Sequence, residues 1–400
     1  MAPPIVLVLN AGSSSVKFAA YEAEGEGFAQ AKWRGQVEGI PGDPALTVSE
    51  DGRRIVDGER LKASGVGDHA SALKIALERL FELFGRERLL AAGHRVVHGG
   101  AVFDGPARIG AEVLAELDRL VPLAPLHQPH NIAGVRAVAE VAPELPQIAC
   151  FDTSFHRTIP AVASTIALPR ELRDKGLRRY GFHGISYSYI ASLLPERLSE
   201  AERGRVVVAH LGNGASLCAM RDGRSVETTM GFSALDGLMM GTRCGSLDPG
   251  VLLYLLRDGY EAASLEELLY RRGGLLGLSG VSADMRAVLA SDAPEARLAA
   301  DQFVYRIVRE VGALTSILGG LDALIFTAGI GERSAEIRAR VCRGLEWLGV
   351  ALDEEANEAA AERISSPGGK VATLVLPTDE ERVIAEETLA LVAAAREPAL

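Results

Sequence analysis

Two arginines stand where charge is otherwise scarce. Arg95 interrupts the apolar run Gly93-His94-Arg95-Val96-Val97, and Arg243 sits in the small-residue turn Gly241-Thr242-Arg243-Cys244-Gly245. An unpaired buried guanidinium is costly, so each points to a fixed anion, either a ligand or a structural carboxylate. Five histidines, His94, His98, His127, His183 and His210, lie beside or close to Gly or Pro in loop-like or strand-end settings. His94 and His98 have the HxxxH spacing of helical zinc sites. The residues between them read as strand, however, and four strand residues span about 13 Å, too far for one ion. Asp152 closes the strand Cys150-Phe151-Asp152, and Asp284 follows Ser279-Gly280-Val281-Ser282; each is a candidate acidic group or a helix cap. Thr378-Asp379-Glu380-Glu381 predicts a capping box with Thr378 as N-cap and Glu381 reaching back. Glu380 is then free to hold a hard cation such as Mg²⁺, directly or through water.

Glycine-bearing turns supply the complementary half of an anion site. Val6 to Leu9 gives way to Asn10-Ala11-Gly12-Ser13-Ser14-Ser15 and resumes at Val16-Lys17-Phe18; the pattern recurs from Val206 through His210-Leu211-Gly212-Asn213-Gly214 to Leu217. Both read as tight strand-turn-strand hairpins whose serial N–H groups can form an anion nest. Their repetition predicts a duplicated fold with a phosphate-handling cleft between two related domains. A third turn, Thr327-Ala328-Gly329-Ile330-Gly331-Glu332-Arg333-Ser334, leads from a buried strand into a helix. It suits an anion or a closely approaching ligand, or a plain connection capped by Ser334. The chain has no GxxxxGK[ST] loop, and Gly212-Asn213-Gly214 lacks the third glycine of a dinucleotide fingerprint.

The elements that must hold these groups alternate between strand and helix. Strand signals dominate residues 5 to 57, with a turn at Asp51-Gly52, and helical patterns follow at 68–84, 111–121 and 130–141, with strands at 93–97 and 147–151. A domain boundary is expected near 150, giving an amino-terminal α/β domain over 1–150 and a second over 151–380, with helix 381–400 packing back on the first. The second domain carries a helix near 186–194, the repeated hairpin, helices between 249 and 318, strands at 323–327 and 371–376, and a helix from Ser334. The fold class is α/β.

Composition narrows the partners. With 48% hydrophobic and 24% charged residues over 400 positions, the chain has the balance of a globular enzyme. The net charge of −11 is spread along the chain without a Lys/Arg tract, so neither nucleic acid nor an anionic membrane is an expected partner. Cys150, Cys218, Cys244 and Cys342 lie far apart and form no CxxC pair, as expected of reduced thiols in a cytoplasm. The apolar run at the amino terminus stops at Asn10 and no later stretch reaches about 18 apolar residues, so neither export nor a membrane anchor is expected.

Taken together and in order, these motifs resemble the acetate and propionate kinase family. The resemblance rests on Asn10 to Ser15 with Lys17, Gly93 to Gly100, Leu123 to His127, Phe151-Asp152-Thr153, Gly181-Phe182-His183-Gly184, His210 to Gly214, Met239 to Gly245, and Phe326 to Glu332, and it covers essentially the whole chain. It implies the two-domain fold of actin, hexokinase and the heat-shock chaperones, with a duplicated core and an interdomain cleft. It also implies Mg²⁺, or Mn²⁺ in its place, at Asn10 and Glu380. Ser13, Ser15 and Lys17 would lie near the nucleotide phosphates; further ATP or ADP contacts would come from His210, Leu211, Gly212, Asn213, Gly214, Asp284, Met285, Arg286, Gly329, Ile330, Gly331, Glu332 and Arg333. Arg95 would bind the acceptor carboxylate. His183 and Arg243 would stabilise the transferring phosphoryl group, and Asp152 would be the family's catalytic aspartate. Val97, Leu126, Phe182 and Ala234 would surround the acyl tail. A homodimer is the family expectation.

The implied reaction is reversible transfer of the γ-phosphoryl group of ATP to acetate, giving acetyl phosphate and ADP by direct in-line transfer. Its nucleophile is ionised at neutral pH, because a carboxyl pKa is about 4, so no strong base is needed and Asp152 is expected to position metal or Arg243. The alternatives are a propionate or other short-chain carboxylate kinase, a kinase or phosphohydrolase acting on a hydroxyl or on polyphosphate, and a non-catalytic nucleotide-binding scaffold. The chain departs from the family pattern in four places. Ala234 replaces a usual Pro at the acyl pocket, Arg333 a usual Asn beside the nucleotide and Ser246 a frequent Asp, while His130 has no counterpart.

Overall fold

The computed structural model describes residues 2–12, 15–23, 28, 30–40, 42–61 and 69–395. They form two compact units, Met1–Ser154 with Asp379–Leu400, and Phe155–Thr378.

The first unit is built on strands β1 (Ile5–Ala11), β2 (Ser15–Glu22), β3 (Trp33–Glu38), β4 (Ala45–Glu50), β5 (Arg53–Arg60), β6 (Leu89–Val96), β7 (Ala107–Arg108) and β8 (Gln147–Phe151), in the order β5-β4-β3-β2-β1-β6-β8-β7. The predicted hairpin is present: β1 runs antiparallel to β2 from Ile5↔Glu22 to Ala11↔Val16, and parallel to β6. Alternation divides β1 between two layers. Ile5, Leu7 and Leu9 join Phe18 and Trp33 in a core with Leu77, Leu80, Phe81 and Phe84 of the helix His69–Phe84. Val8 and Asn10 therefore face the other side, the same side as their partners Gly93 and Lys17. The last helix, Glu380–Ala394, covers this side against β1, β6 and β8. It lies so close that a Cβ on Gly93 would come 2.3 Å from Thr388 Oγ1 and 2.7 Å from Ile384.

That helix is not capped as the capping-box pattern predicts. Asp379 is the N-cap, its Oδ1 accepting from Arg382 N–H at 3.1 Å. Thr378 instead accepts from Ser186 through its hydroxyl, and Glu381 faces Arg34 at 3.3 Å. Arg34 also draws Asp379 to 2.8 Å, so a cation outside the helix orients both acids and leaves Glu380 as its first residue.

The second unit holds β9 (Arg205–Leu211), β10 (Ala215–Arg221), β11 (Arg224–Thr228), β12 (Ala323–Thr327) and β13 (Ala372–Val375), ordered β11-β10-β9-β12-β13. Antiparallel β10-β9 followed by parallel β12 and β13 repeats the arrangement of β2-β1 with β6 and β8. The duplication suggested by two hairpins is thus a duplication of sheet topology, to which the first unit adds its outer strands. Phe303, Ile307, Val311, Leu314 and Leu318 form one buried face of the helix Pro294–Leu318. No helix among the described residues is long and apolar enough to cross a membrane.

Candidate active site

In the first unit the site grows from one face of the sheet. Lys17 lies directly opposite Asn10, and Arg95 and Cys150 form a pair on β6 and β8 two residues beyond Gly93, on the side covered by the last helix. Arg95 grips the buried Asp152 with two bonds, Nε to Oδ1 at 3.0 Å and Nη2 to Oδ2 at 2.7 Å, and its Nη1 stands 3.6 Å from Glu380. Burial works against the guanidinium, but Asp152 and Glu380 outweigh it and push its pKa up. The structure thus realises the carboxylate partner left open for Arg95. Arg243, in the second unit, donates from Nη1 to the Ala234 carbonyl at 2.7 Å.

Asn10 and Glu380 offer an amide oxygen and a carboxylate, a donor set that suits a hard cation. Among the described residues no three His, Cys, Asp or Glu side chains gather to cage an ion. Mg²⁺ keeps several waters and needs only one or two protein carboxylates beside substrate phosphates, a requirement that one amide oxygen and one carboxylate can meet. Ser15 accepts Gly12 N–H through its carbonyl at 2.9 Å, closing the first hairpin turn. Ser13 lies outside the described residues. His94 and His98 are buried; His94 Nε2 bonds Gln147 at 2.8 Å, and burial lowers both rings to about 4.

Two residues missed in the sequence shape this region. Gln128 and Asn131 open the helix Gln128–Val141, and both are buried. Asn131 donates to the Ala11 carbonyl and accepts from Val97 N–H, tying the end of β1 to the segment after β6, while Gln128 exchanges bonds with the backbone of His98. Two polar side chains three apart at the start of a helix with an apolar face were the available signal.

In the second unit His183, Arg243 and the β9–β10 turn converge. A methyl group built on Gly214 would lie 3.1 Å from His183 Nε2 and 3.5 Å from Arg243 Nη2. His183 holds a left-handed backbone (φ 58) at the head of the helix Gly184–Arg197, and its ring stacks on His210 with centroids 4.2 Å apart. His156, also unassigned from sequence, accepts or donates at Ser225 Oγ and donates from Nε2 to the Phe182 carbonyl at 2.9 Å, bracing the backbone just before His183.

Gly212, Asn213, Asp284, Met285, Arg286, Gly329, Ile330 and Arg333 line one pocket of about 490 Å³ together with Ser282, Ala283, Leu289 and Ser334. Asp284 caps the helix Met285–Leu289 and pairs with Arg286 at 2.6 Å. Ser334 caps the helix Ala335–Gly344, and the glycine turn before it is itself the short helix Ala328–Arg333. The Ser334 cap expected of a plain connection is therefore present, in a turn that also lines the pocket. His210 and Leu211 end β9 just before the pocket turn; Gly331 and Glu332 lie in the short helix Ala328–Arg333, with Glu332 accepting from Thr378 N–H at 3.4 Å. The buried Arg338 donates to the carbonyls of Gly331, Glu332 and Asn357 and to Asn357 Oδ1. Of the residues expected around the acyl tail, Val97 and Leu126 belong to the first unit and Phe182 and Ala234 to the second. Ser246 hydrogen-bonds Asp236 at 2.8 Å and Gly237 N–H, a local task within its loop.

The chain as a whole is similar to known proteins. The chain is 54% identical over 387 residues to a protein named acetate kinase from Rhodopseudomonas palustris, covering 95% of this chain and 96% of that one. It is 51% identical over 391 residues to an acetate kinase from Rhizobium meliloti, covering 97% and 98%. Among solved structures, a propionate kinase from Francisella tularensis superposes with a TM-score of 0.88 at 36% identity over 97% of this chain and 99% of that one. Porphyromonas gingivalis acetate kinase gives 0.86 at 37% over 97% and 100%. The profile of the acetokinase family matches residues 5–386, from the first strand into the closing helix, and the chain therefore belongs to that family.

Proposed function

We propose that this chain catalyses reversible, Mg²⁺-dependent transfer of the γ-phosphoryl group of ATP to acetate, yielding acetyl phosphate and ADP. The observation that carries the reading is the pocket of about 490 Å³ lined by Gly212-Asn213 of the hairpin turn, by Gly329-Ile330 and by Asp284 to Arg286. Its lining includes the apolar side chains of Met285, Leu289 and Ile330, which suit a nucleotide base. His183 and Arg243, converging on Gly214, supply donors for charge spread over the transferring oxygens. Arg95, oriented by Asp152, presents Nη1 for the acceptor carboxylate. Mg²⁺ held through Asn10 and Glu380 would neutralise phosphate charge.

Asp152 holds Arg95 and does not abstract a proton, since the acceptor is already ionised at neutral pH. Four free cysteines among the described residues support a cytoplasmic setting. The helix Pro249–Arg257 buries none of its residues and exposes Leu253, Tyr254 and Leu256, a surface that suits a homodimer contact. The test is the reverse reaction. Acetyl phosphate with Mg²⁺·ADP should yield ATP measured by luciferase, and no ATP from any short acyl phosphate would sink the reading.

A second reading, propionate as the preferred acid, is favoured by Ala234. Its side chain is smaller than the usual Pro, and its carbonyl anchors Arg243.

A further inference from the structure

Two side chains outside the substrate-contacting set converge on His183. Its Nδ1 lies 2.8 Å from Ser216 Oγ on β10, and Ser216 Oγ lies 2.6 Å from the Tyr187 hydroxyl one helical turn after His183. Both Ser216 and Tyr187 are fully buried. Burial pushes the Tyr187 phenol up, so it keeps its proton throughout the working range. A buried hydroxyl proton needs an acceptor, and among the described residues Ser216 Oγ is the one bonded to Tyr187. With Tyr187 donating to Ser216, the serine proton turns to the remaining neighbour, His183 Nδ1. The ring proton then stands on Nε2, the nitrogen on the Gly214 side of the ring. The reverse chain, Nδ1–H to Ser216 to Tyr187, would leave the phenol proton buried without an acceptor.

We propose that Tyr187 and Ser216 are positioning residues that hold His183 as the neutral Nε2–H tautomer, a preset hydrogen-bond donor toward the transferring phosphoryl group. The inference rests on the reading of His183 as a phosphoryl-binding group. The stacked ring of His210 is wired the other way. Ser186 Oγ donates to Thr378 Oγ1 at 2.9 Å and so takes the proton of His210 Nδ1, also at 2.9 Å. Two imidazoles in contact thus carry opposite tautomers, one turning a donor and one an acceptor to the site.

The experiment is solid-state ¹⁵N NMR of the full-length protein labelled at its eight histidines, with His183→Gln and His210→Gln used to assign two signals. The proposal expects Nε2–H at His183 and Nδ1–H at His210 in the native chain. Tyr187→Phe should mix the His183 tautomers without altering the fold, since it keeps the ring packed between His156 and His210. Ser216→Ala should do the same and lower kcat about ten- to a hundredfold with KM for acyl acceptor nearly unchanged, less than the loss of a whole transition-state donor. An Nδ1–H signal at His183 in the native chain, or unchanged tautomer and kcat in both variants, overturns it. Full activity in His183→Ala with the native tautomer as expected would instead refute the phosphoryl reading and leave the hydrogen-bond chain standing.

Discussion

At the scale of single residues, the Arg95–Asp152 pair separates two mechanisms. A carboxylate held by two guanidinium bonds is a poor base and a good orienting group. Asp152→Asn keeps the shape and one acceptor oxygen, so kcat/KM should fall about ten- to a hundredfold while the pH profile keeps its form. Loss of a basic limb in that profile would identify Asp152 as a base. Ala234→Pro should shift the acetate-to-propionate preference toward acetate by the worth of one methylene, about 1–3 kcal/mol, measured as the ratio of kcat/KM values. The pocket residue retains its carbonyl in that variant, so the Arg243 anchor persists. Arg95 and Arg243 were legible in the sequence because each is a lone charge among apolar or small neighbours. Arg338 was not, because it lies in an ordinary amphipathic helix and its partners come from residues 331, 332 and 357.

At the scale of elements, Arg338 is the residue whose loss should be felt most. Its guanidinium closes the carbonyl end of the short helix Ala328–Arg333, part of which lines the proposed nucleotide pocket. Arg338→Met would leave three buried carbonyls and an amide oxygen without their donor. The expected cost is about 3–5 kcal/mol, read from urea unfolding, together with a higher KM for ATP. An unchanged midpoint would show that water replaces the guanidinium. The two hairpins were legible through β-branched runs broken by small polar residues, and the long helix through its spacing of Phe303 to Leu318. The cap of the last helix was misplaced by one residue because Arg34, distant in sequence, pulls on Asp379 and Glu381; local pattern does not contain it.

At the scale of the whole molecule, buried histidines set the acid limit of stability. His94 and His156 are held at about 4 by burial, below the ordinary value of 6.5, so the folded chain binds fewer protons than the unfolded one between these values. Their contribution is present above pH 6.5 and is lost as pH falls toward 4. Urea midpoints should therefore drop across that window, and His94→Gln should flatten the slope; a slope confined below pH 4 would assign acid lability to carboxylates instead. The central claim concerns chemistry, and the most direct measurement is kcat/KM with Mg²⁺·ATP for acetate, propionate, butyrate and a sugar, trapping acyl phosphate as hydroxamate. The account predicts hydroxamate from acetate, with propionate within about a hundredfold of it and nothing from the sugar. Phosphorylation of the sugar, or silence with every carboxylate while ATP still binds, would contradict it.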